Sequence, residues 1–269
     1  MCGATLRAAV NTLPIALVTI NGRGPFRFVF DTAATSSAVS GQLIAALGLK
    51  ITQQSVITVN GSLGRGEKYL VHIERLRCGT LLQRDLQLPL LDRYALPVDD
   101  GLLGVSGLAS KQVEIDVPLR QVSIVDSPGA YRMQSGHAIK LTRHVSGLSL
   151  MEASIAGVGC TAILDTGAEL SIGNTALLHA LRLTLPATAA TTLLNDASGN
   201  SQRAQLWFVP ELRLGGHSLP AGPIAFADTP VFSSLGIMRP ALLLGTDRLS
   251  TMQRVVIDYS RGRMWLTPG

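Results

Sequence analysis

The hydrophobic positions of this chain recur mostly at a spacing of two. Phe26, Phe28 and Phe30 alternate with Arg27 and Val29, the period of a β-strand with one strongly buried face. Elsewhere the apolar runs are short and broken by glycine or polar turns, so short strands are expected rather than long helices. Asn21-Gly22 and Gly157 stand between apolar runs, where a tight hairpin needs residues that accept positive φ. Two longer hairpins are expected over 55–73 and 191–209, turning at NGSLGRG (60–66) and NDASGN (195–200). Helical spacing is confined to QLIAALG at 42–48 and TALLHALR at 175–182, one or two amphipathic turns each. The prediction is an all-β chain with short helices.

The pattern is stated twice. LPIALVTINGRGPFRFVFDTAATSSAVSGQLIAALGLKI surrounds Asp31, and LSLMEASIAGVGCTAILDTGAELSIGNTALLHALRLTL surrounds Asp165, 134 positions later. Each holds two apolar strands around a Gly-bearing turn, an Asp-Thr pair, a small-residue loop and a short helical pattern. Downstream, GLLGVSGL (101–108) precedes QVEIDVPLRQVSI (112–124), and ALLLGTDRL (241–249) precedes RVVIDYSRGRMWL (254–266). Five features in one order, twice, imply a duplicated unit. Two lobes related by a pseudo-two-fold axis are expected, residues 1–126 and 138–269. Residues 127–137, within the turn-rich DSPGAYRMQSGH, form the linker.

Composition narrows the functional classes. With 269 residues, 46% of them hydrophobic and 15% charged, the chain can bury a large core and is not a disordered tail. No run approaches the ~18 apolar residues of a membrane span. The net charge of +5 comes from scattered basic residues, without the like-charge run of a nucleic-acid-binding tract. Cys2, Cys78 and Cys160 form no CxxC pair, and the five histidines show no ligand spacing such as HExxH, so neither a metal nor a disulfide framework is expected. Met followed by Cys2 fits a lipoprotein stripped of its signal peptide, with a lipid on that cysteine as its one membrane contact. GVSG (104–107) and GGHSLPAG (215–222) are not the GxSxG elbow of a serine hydrolase.

Asp31 and Asp165 are the candidate catalytic residues. A carboxylate at the end of a buried strand is costly to ionise, and one in each of two related lobes suggests that the axis brings them face to face. Two carboxyls in contact share one proton. A water between them is then set for attack on a peptide, one carboxyl taking its proton while the other donates to the carbonyl oxygen. Thr32 and Thr166 offer hydroxyls to the backbone of the opposite lobe. Ala33 and Gly167 permit close approach to the water, with Ala33 the tighter choice. Leu103-Gly104 and Leu244-Gly245 are expected to pack behind the loops. Gly61, Ser62 and Gly64 on one hairpin tip, and Ser198 and Gly199 on the other, are candidate flap residues.

With these residues in view, the chain resembles the aspartic proteases, and their retropepsin branch more than the pepsin branch. DTGA (165–168) and LLGTD (243–247) match the retropepsin form, while DTAA (31–34) has Ala33 where Gly is usual and GVSG lacks a counterpart of Asp247. Retroviral members assemble the site from two identical chains. This sequence resembles a fused version, which implies a monomer, an extended polypeptide substrate, no cofactor, and a bacterial setting in the periplasm or envelope. Ala34 and Ala168 follow the retropepsin pattern. A hydroxyl there would lower a carboxylate's pKa, so its absence implies an optimum at weakly acidic to neutral pH. The alternatives are a peptide-binding module that kept the cleft and lost catalysis, and a structural envelope protein built on the duplicated unit.

Overall fold

The computed structural model describes residues 12–91, 100–127, 137–184, 186 and 188–269, but not the side chains of 52–55. Cys2 and most of the expected linker, residues 128–136, lie outside the described residues. Within them the fold is all-β with four short helices, built from two sheets of 12 and 10 strands. No helix among the described residues is long and apolar enough to cross a membrane.

Each half begins with the hairpin that its pattern predicts. Ile15–Ile20 pairs antiparallel with Arg23–Phe30, and Ser149–Ile155 with Val158–Leu164. The turns adopt positive φ at Asn21 and Gly22 (51° and 81°) and at Ala156 and Gly157 (50° and 80°), the left-handed pair that matches strand twist. Phe28 and Phe30 are fully buried as the alternation implies, but Val29 is fully buried too. Its opposite face is covered by Leu13 and Ile15, so this strand is buried on both sides.

The second strand of each hairpin is then covered by a strand from far along the chain. Phe28–Phe30 pairs parallel with Gly101–Leu103, and Thr161–Leu164 pairs parallel with Ala241–Leu244. Ala38–Ser40 and Ile172–Gly173 run antiparallel to the other side of those late strands. Each Asp-Thr turn is therefore the link between two strands that flank a third. Gly101 makes this threading possible in the first half, since a Cβ there would lie 2.5 Å from both the Ala38 carbonyl and the Phe28 ring.

The first helix has the length its apolar spacing suggests, one position earlier, and the second is two residues shorter. Gly41–Leu47 is capped by the Ser40 hydroxyl and ends at Gly48 in the left-handed region (φ 68°). Thr175–Ala180 is capped by Asn174 and stops before Arg182, whose φ is 55°. Thr246–Leu249 forms a further short helix after the second Leu-Gly segment. Its counterpart after Gly104 is made only of turns and bends.

The closing hairpins do not each stay within their own half. Met252–Asp258 pairs with Lys111–Asp116, and Arg263–Pro268 with Ile139–Lys140, so the end of the second half extends the sheet of the first. Asp258, fully buried, ties the two hairpins together. It accepts bonds from the Ser127 and Ser260 hydroxyls and from the Ser260 and Arg261 amides, at 2.8–3.1 Å. One apolar cluster consequently runs through both halves, from Val18, Phe30 and Leu103 through Ile115 and Val255 to Leu164 and Leu244.

Candidate active site

Asp31 and Asp165 sit where the buried strands end. Their backbone amides donate to the Leu103 and Leu244 carbonyls respectively, each at 3.0 Å, the next rungs of the two parallel pairings. Asp31 lies against the loop of the other half, where a Cβ on Gly167 would come within 2.4 Å of its Cγ, and the two carboxyls are close enough to shift each other's titration. Asp31 Oδ1 accepts the Ala33 and Ala34 amides at 2.8 and 3.1 Å, and Asp165 Oδ1 accepts the Gly167 amide at 3.1 Å.

Two threonines fix this approach by reciprocal exchange. Thr32 Oγ1 donates to the Leu164 carbonyl at 2.8 Å and accepts the Thr166 amide at 3.0 Å. Thr166 Oγ1 donates to the Phe30 carbonyl at 2.7 Å and accepts the Thr32 amide at 3.1 Å. Four bonds join the two turns in a nearly symmetric ring, and both threonines are buried. Replacing either by Val keeps the shape but leaves a carbonyl and an amide of the opposite turn without partners. Each variant is expected to lose about 2–4 kcal/mol of stability, read from urea unfolding, whereas Thr→Ser should retain most of it.

The Leu-Gly segments run close against the backbone of the loops that follow the turns. Leu103 and Leu244 are fully buried. A Cβ on Gly104 would lie 2.6 Å from Ser36 backbone, and one on Gly245 would lie 2.8 Å from Leu170 backbone, so neither position admits a larger residue without movement. The Val105 and Thr246 amides donate to the Ala34 and Ala168 carbonyls, both at 2.9 Å. Two supports escaped the sequence reading. Ser37 Oγ accepts the Gly104 amide at 3.2 Å, and Ser171 Oγ accepts the Gly245 amide at 3.0 Å and donates to Asp247 at 2.7 Å. Each serine stands six residues after its Asp, and aligning the two repeats residue by residue exposes the pair. Asp247 also faces the buried Arg248, whose guanidinium donates to the Pro220 and Pro223 carbonyls at 2.7 Å each.

The electrostatics of the pair follow from burial and contact. Burial pushes Asp31 up to about 6, against the pull of the Ala33 and Ala34 amides and of its bond from Asp165. Asp165 is raised further, first by burial and then by the charge of Asp31. Asp31 has the shorter amide contacts, so it is the better anion, and Asp165 retains the shared proton as the donor between them. Cys78 and Cys160 are buried, and burial pushes both thiols up to about 11, the opposite of what a thiolate nucleophile needs. Among the described residues no three His, Cys, Asp or Glu side chains are grouped to hold a metal ion.

The tips of the two long hairpins meet. Gly61, Ser62 and Gly64 lie between strands Ile51–Asn60 and Arg65–Cys78, and Ser198 and Gly199 between Thr191–Asn195 and Ser201–Val209. Leu63 packs into an apolar cluster of the second half that also takes Leu170, five residues past Asp165. Ala197 packs against Ala38, Leu91 and Leu102 beside Ala34, three residues past Asp31. Each tip is thus anchored next to the Asp-Thr loop of the opposite half.

Two family models match in tandem. One described as "gag-polyprotein putative aspartyl protease" covers residues 16–110, and one described as "Aspartyl protease" covers residues 151–247. Each match contains one Asp-Thr turn and one Leu-Gly segment. No curated protein matches the chain.

Proposed function

Because the chain belongs to the retropepsin-like aspartic protease family, with two of its domains in tandem, we propose that it is an endopeptidase whose catalytic residues are Asp31 and Asp165. The observation that carries this reading is the apposition of the two carboxyls, Asp165 buried and Asp31 half-buried, on turns held together by the reciprocal Thr32 and Thr166 bonds. Asp31, ionised, takes a proton from a water between the carboxyls as that water attacks the peptide carbon. Asp165 gives its proton to the carbonyl oxygen, and the resulting diol collapses with proton transfer to the leaving amine. No covalent intermediate is formed. The substrate is an extended polypeptide segment lying between the two Asp-Thr loops and the hairpin tips, paired through its backbone. One chain supplies both aspartates, so the active species is a monomer.

The reading makes a prediction about pH. The working form carries one proton on the pair. Below about 6, where Asp31 is protonated, the base is lost. At high pH the shared proton on Asp165 is lost, and its pKa is raised well above the ordinary carboxylate range. Cleavage of an internally quenched peptide library is expected to rise as pH increases through about 6 and to peak near neutrality. A peak near pH 2 contradicts the assignment.

A second reading has two observations behind it. Ala33 and the missing helix after Gly104 make the first half less regular than the second, as in a peptide-binding module that no longer cleaves. A peptide carrying a statine-type hydroxyl separates the two. Tight binding that competes with cleavage supports the protease, whereas peptide binding without any turnover supports the module.

A further inference from the structure

The two hairpin tips are joined by a contact that the duplication does not account for. In the second tip, Asp196 closes its own turn: Oδ1 accepts the Ser198 amide at 3.0 Å, the Ser198 hydroxyl at 2.6 Å and the Asn200 amide at 3.0 Å. Its other oxygen, Oδ2, reaches into the first tip and accepts the Leu63 amide at 2.8 Å. Asp196 and Ser198 are both buried. Around this bond the tips are in close backbone contact. A Cβ on Gly61 would lie 2.2 Å from Asp196 Oδ2, and one on Gly66 would lie 2.5 Å from the Ser198 carbonyl. Asn200 Nδ2 adds a bond to the Arg65 carbonyl at 3.3 Å, and the Val231 amide donates to the Ser62 carbonyl at 3.4 Å.

We propose that Asp196 is a positioning residue that latches the two tips together over the aspartate pair, so that a polypeptide gains access only when its bond to Leu63 breaks. The arrangement is one-sided. The second tip contributes a carboxylate already oriented by its own turn, and the first contributes a bare amide made reachable by glycines. The carboxylate loses little freedom on forming the bond, and the acceptor is charged, so this is among the stronger single hydrogen bonds. Leu63 enters the second half's apolar cluster through the same approach, so breaking the latch also withdraws that side chain. The bond and the Leu63 packing are released together as the tips part. The consequence for turnover rests on the proteolytic reading, while the latch itself does not.

The substitution Asp196→Asn separates the two jobs of the carboxylate. With the amide oxygen retained in the Ser198 turn, the NH2 group faces the Leu63 amide, donor against donor. Gly61→Ala attacks the same bond from the other tip, at a residue whose φ lies outside the left-handed region. The experiment uses the full chain, measuring hydrogen exchange of the Leu63 amide by NMR without ligand and stopped-flow association of a statine-type peptide. In both variants, Leu63 exchange is expected to quicken at least about tenfold, the loss of one charge-assisted bond. Association should quicken by a similar factor, with exchange at the core residue Val71 unchanged. A merely structural role would speed exchange at Val71 and would not speed association. Unchanged Leu63 exchange, or association that is unchanged or slower, overturns the proposal. If one variant does not fold, the other decides. If the statine-type peptide fails to bind the wild-type protein, the proteolytic reading is the one that falls, and Leu63 exchange still decides the latch.

Discussion

Conversion of Asp31 or Asp165 to Asn is expected to cut peptide cleavage by on the order of 10³-fold or more, with the fold intact. Asn at 31 cannot accept the proton of the attacking water. Asn at 165 can still donate a hydrogen bond to Asp31 but has no proton to transfer. Both should remain folded, since an amide preserves the volume and one oxygen for the Ala33 or Gly167 amide. A second readout separates lost chemistry from lost structure. Both carboxyls have folded pKa values above the unfolded value of about 3.9, so between that value and the folded ones the folded protein binds more protons than the unfolded chain. Stability then falls as pH rises from about 4 through about 6 and beyond. Asn carries no such linkage. Each variant should therefore melt at a higher temperature than wild type at pH 7, with a shallower loss of stability between pH 4 and 7. Undiminished cleavage by both single variants would remove the assignment.

Gly167→Ala is expected to damage catalysis by adding a single methyl against the aspartate pair. A Cβ at that position would lie 2.4 Å from Asp31 Cγ and 2.5 Å from Oδ2, and the backbone φ there is ordinary, so the whole effect is steric. The loop cannot retreat, because Thr166 on one side is locked to Phe30 and Thr32, and Ala168 on the other accepts the Thr246 amide. The carboxyl must move instead. A displacement of about 1 Å in a reacting group costs roughly 100-fold in rate, and that loss should be seen in kcat for the quenched peptides. Ala33→Gly in the first loop adds no atoms and is expected to retain activity. If Gly167→Ala cleaves normally, Asp31 is not placed as the proposed chemistry needs.

The contrast between these two loops shows which parts of the site could be read along the chain. Asp31, Thr32, Asp165 and Thr166 could be picked out because the same apolar-strand, Asp-Thr, small-residue order occurs twice, and only a paired site gives duplication of a costly buried acid a reason. Ser37 and Ser171 share that register but are common residue types, so they carry no signal until the repeats are aligned. The hairpins at 111–126 and 252–268 were legible as strands but not as partners. Val255, Val256 and Ile257 are buried on both faces, and a strand without a solvent face does not tell which sheet it joins. Asp196 was the least legible. An acid in NDASGN has the composition of a solvated turn, and only the arrival of the other tip, from 133 residues away, makes it a buried acceptor.

The shared sheet has a consequence during synthesis. Lys111–Asp116 pairs on one side with Gln121–Asp126 and on the other with Met252–Asp258. As the chain leaves the ribosome, the first half can complete its own hairpins yet must present Lys111–Asp116 as a bare edge until the last strands are translated. Unpaired edges recruit other chains, and nascent multi-unit proteins are most vulnerable at this stage. Chaperone dependence and insoluble products in a chain shortened before Met252 are the expected cost of closing the beginning of a protein with its end.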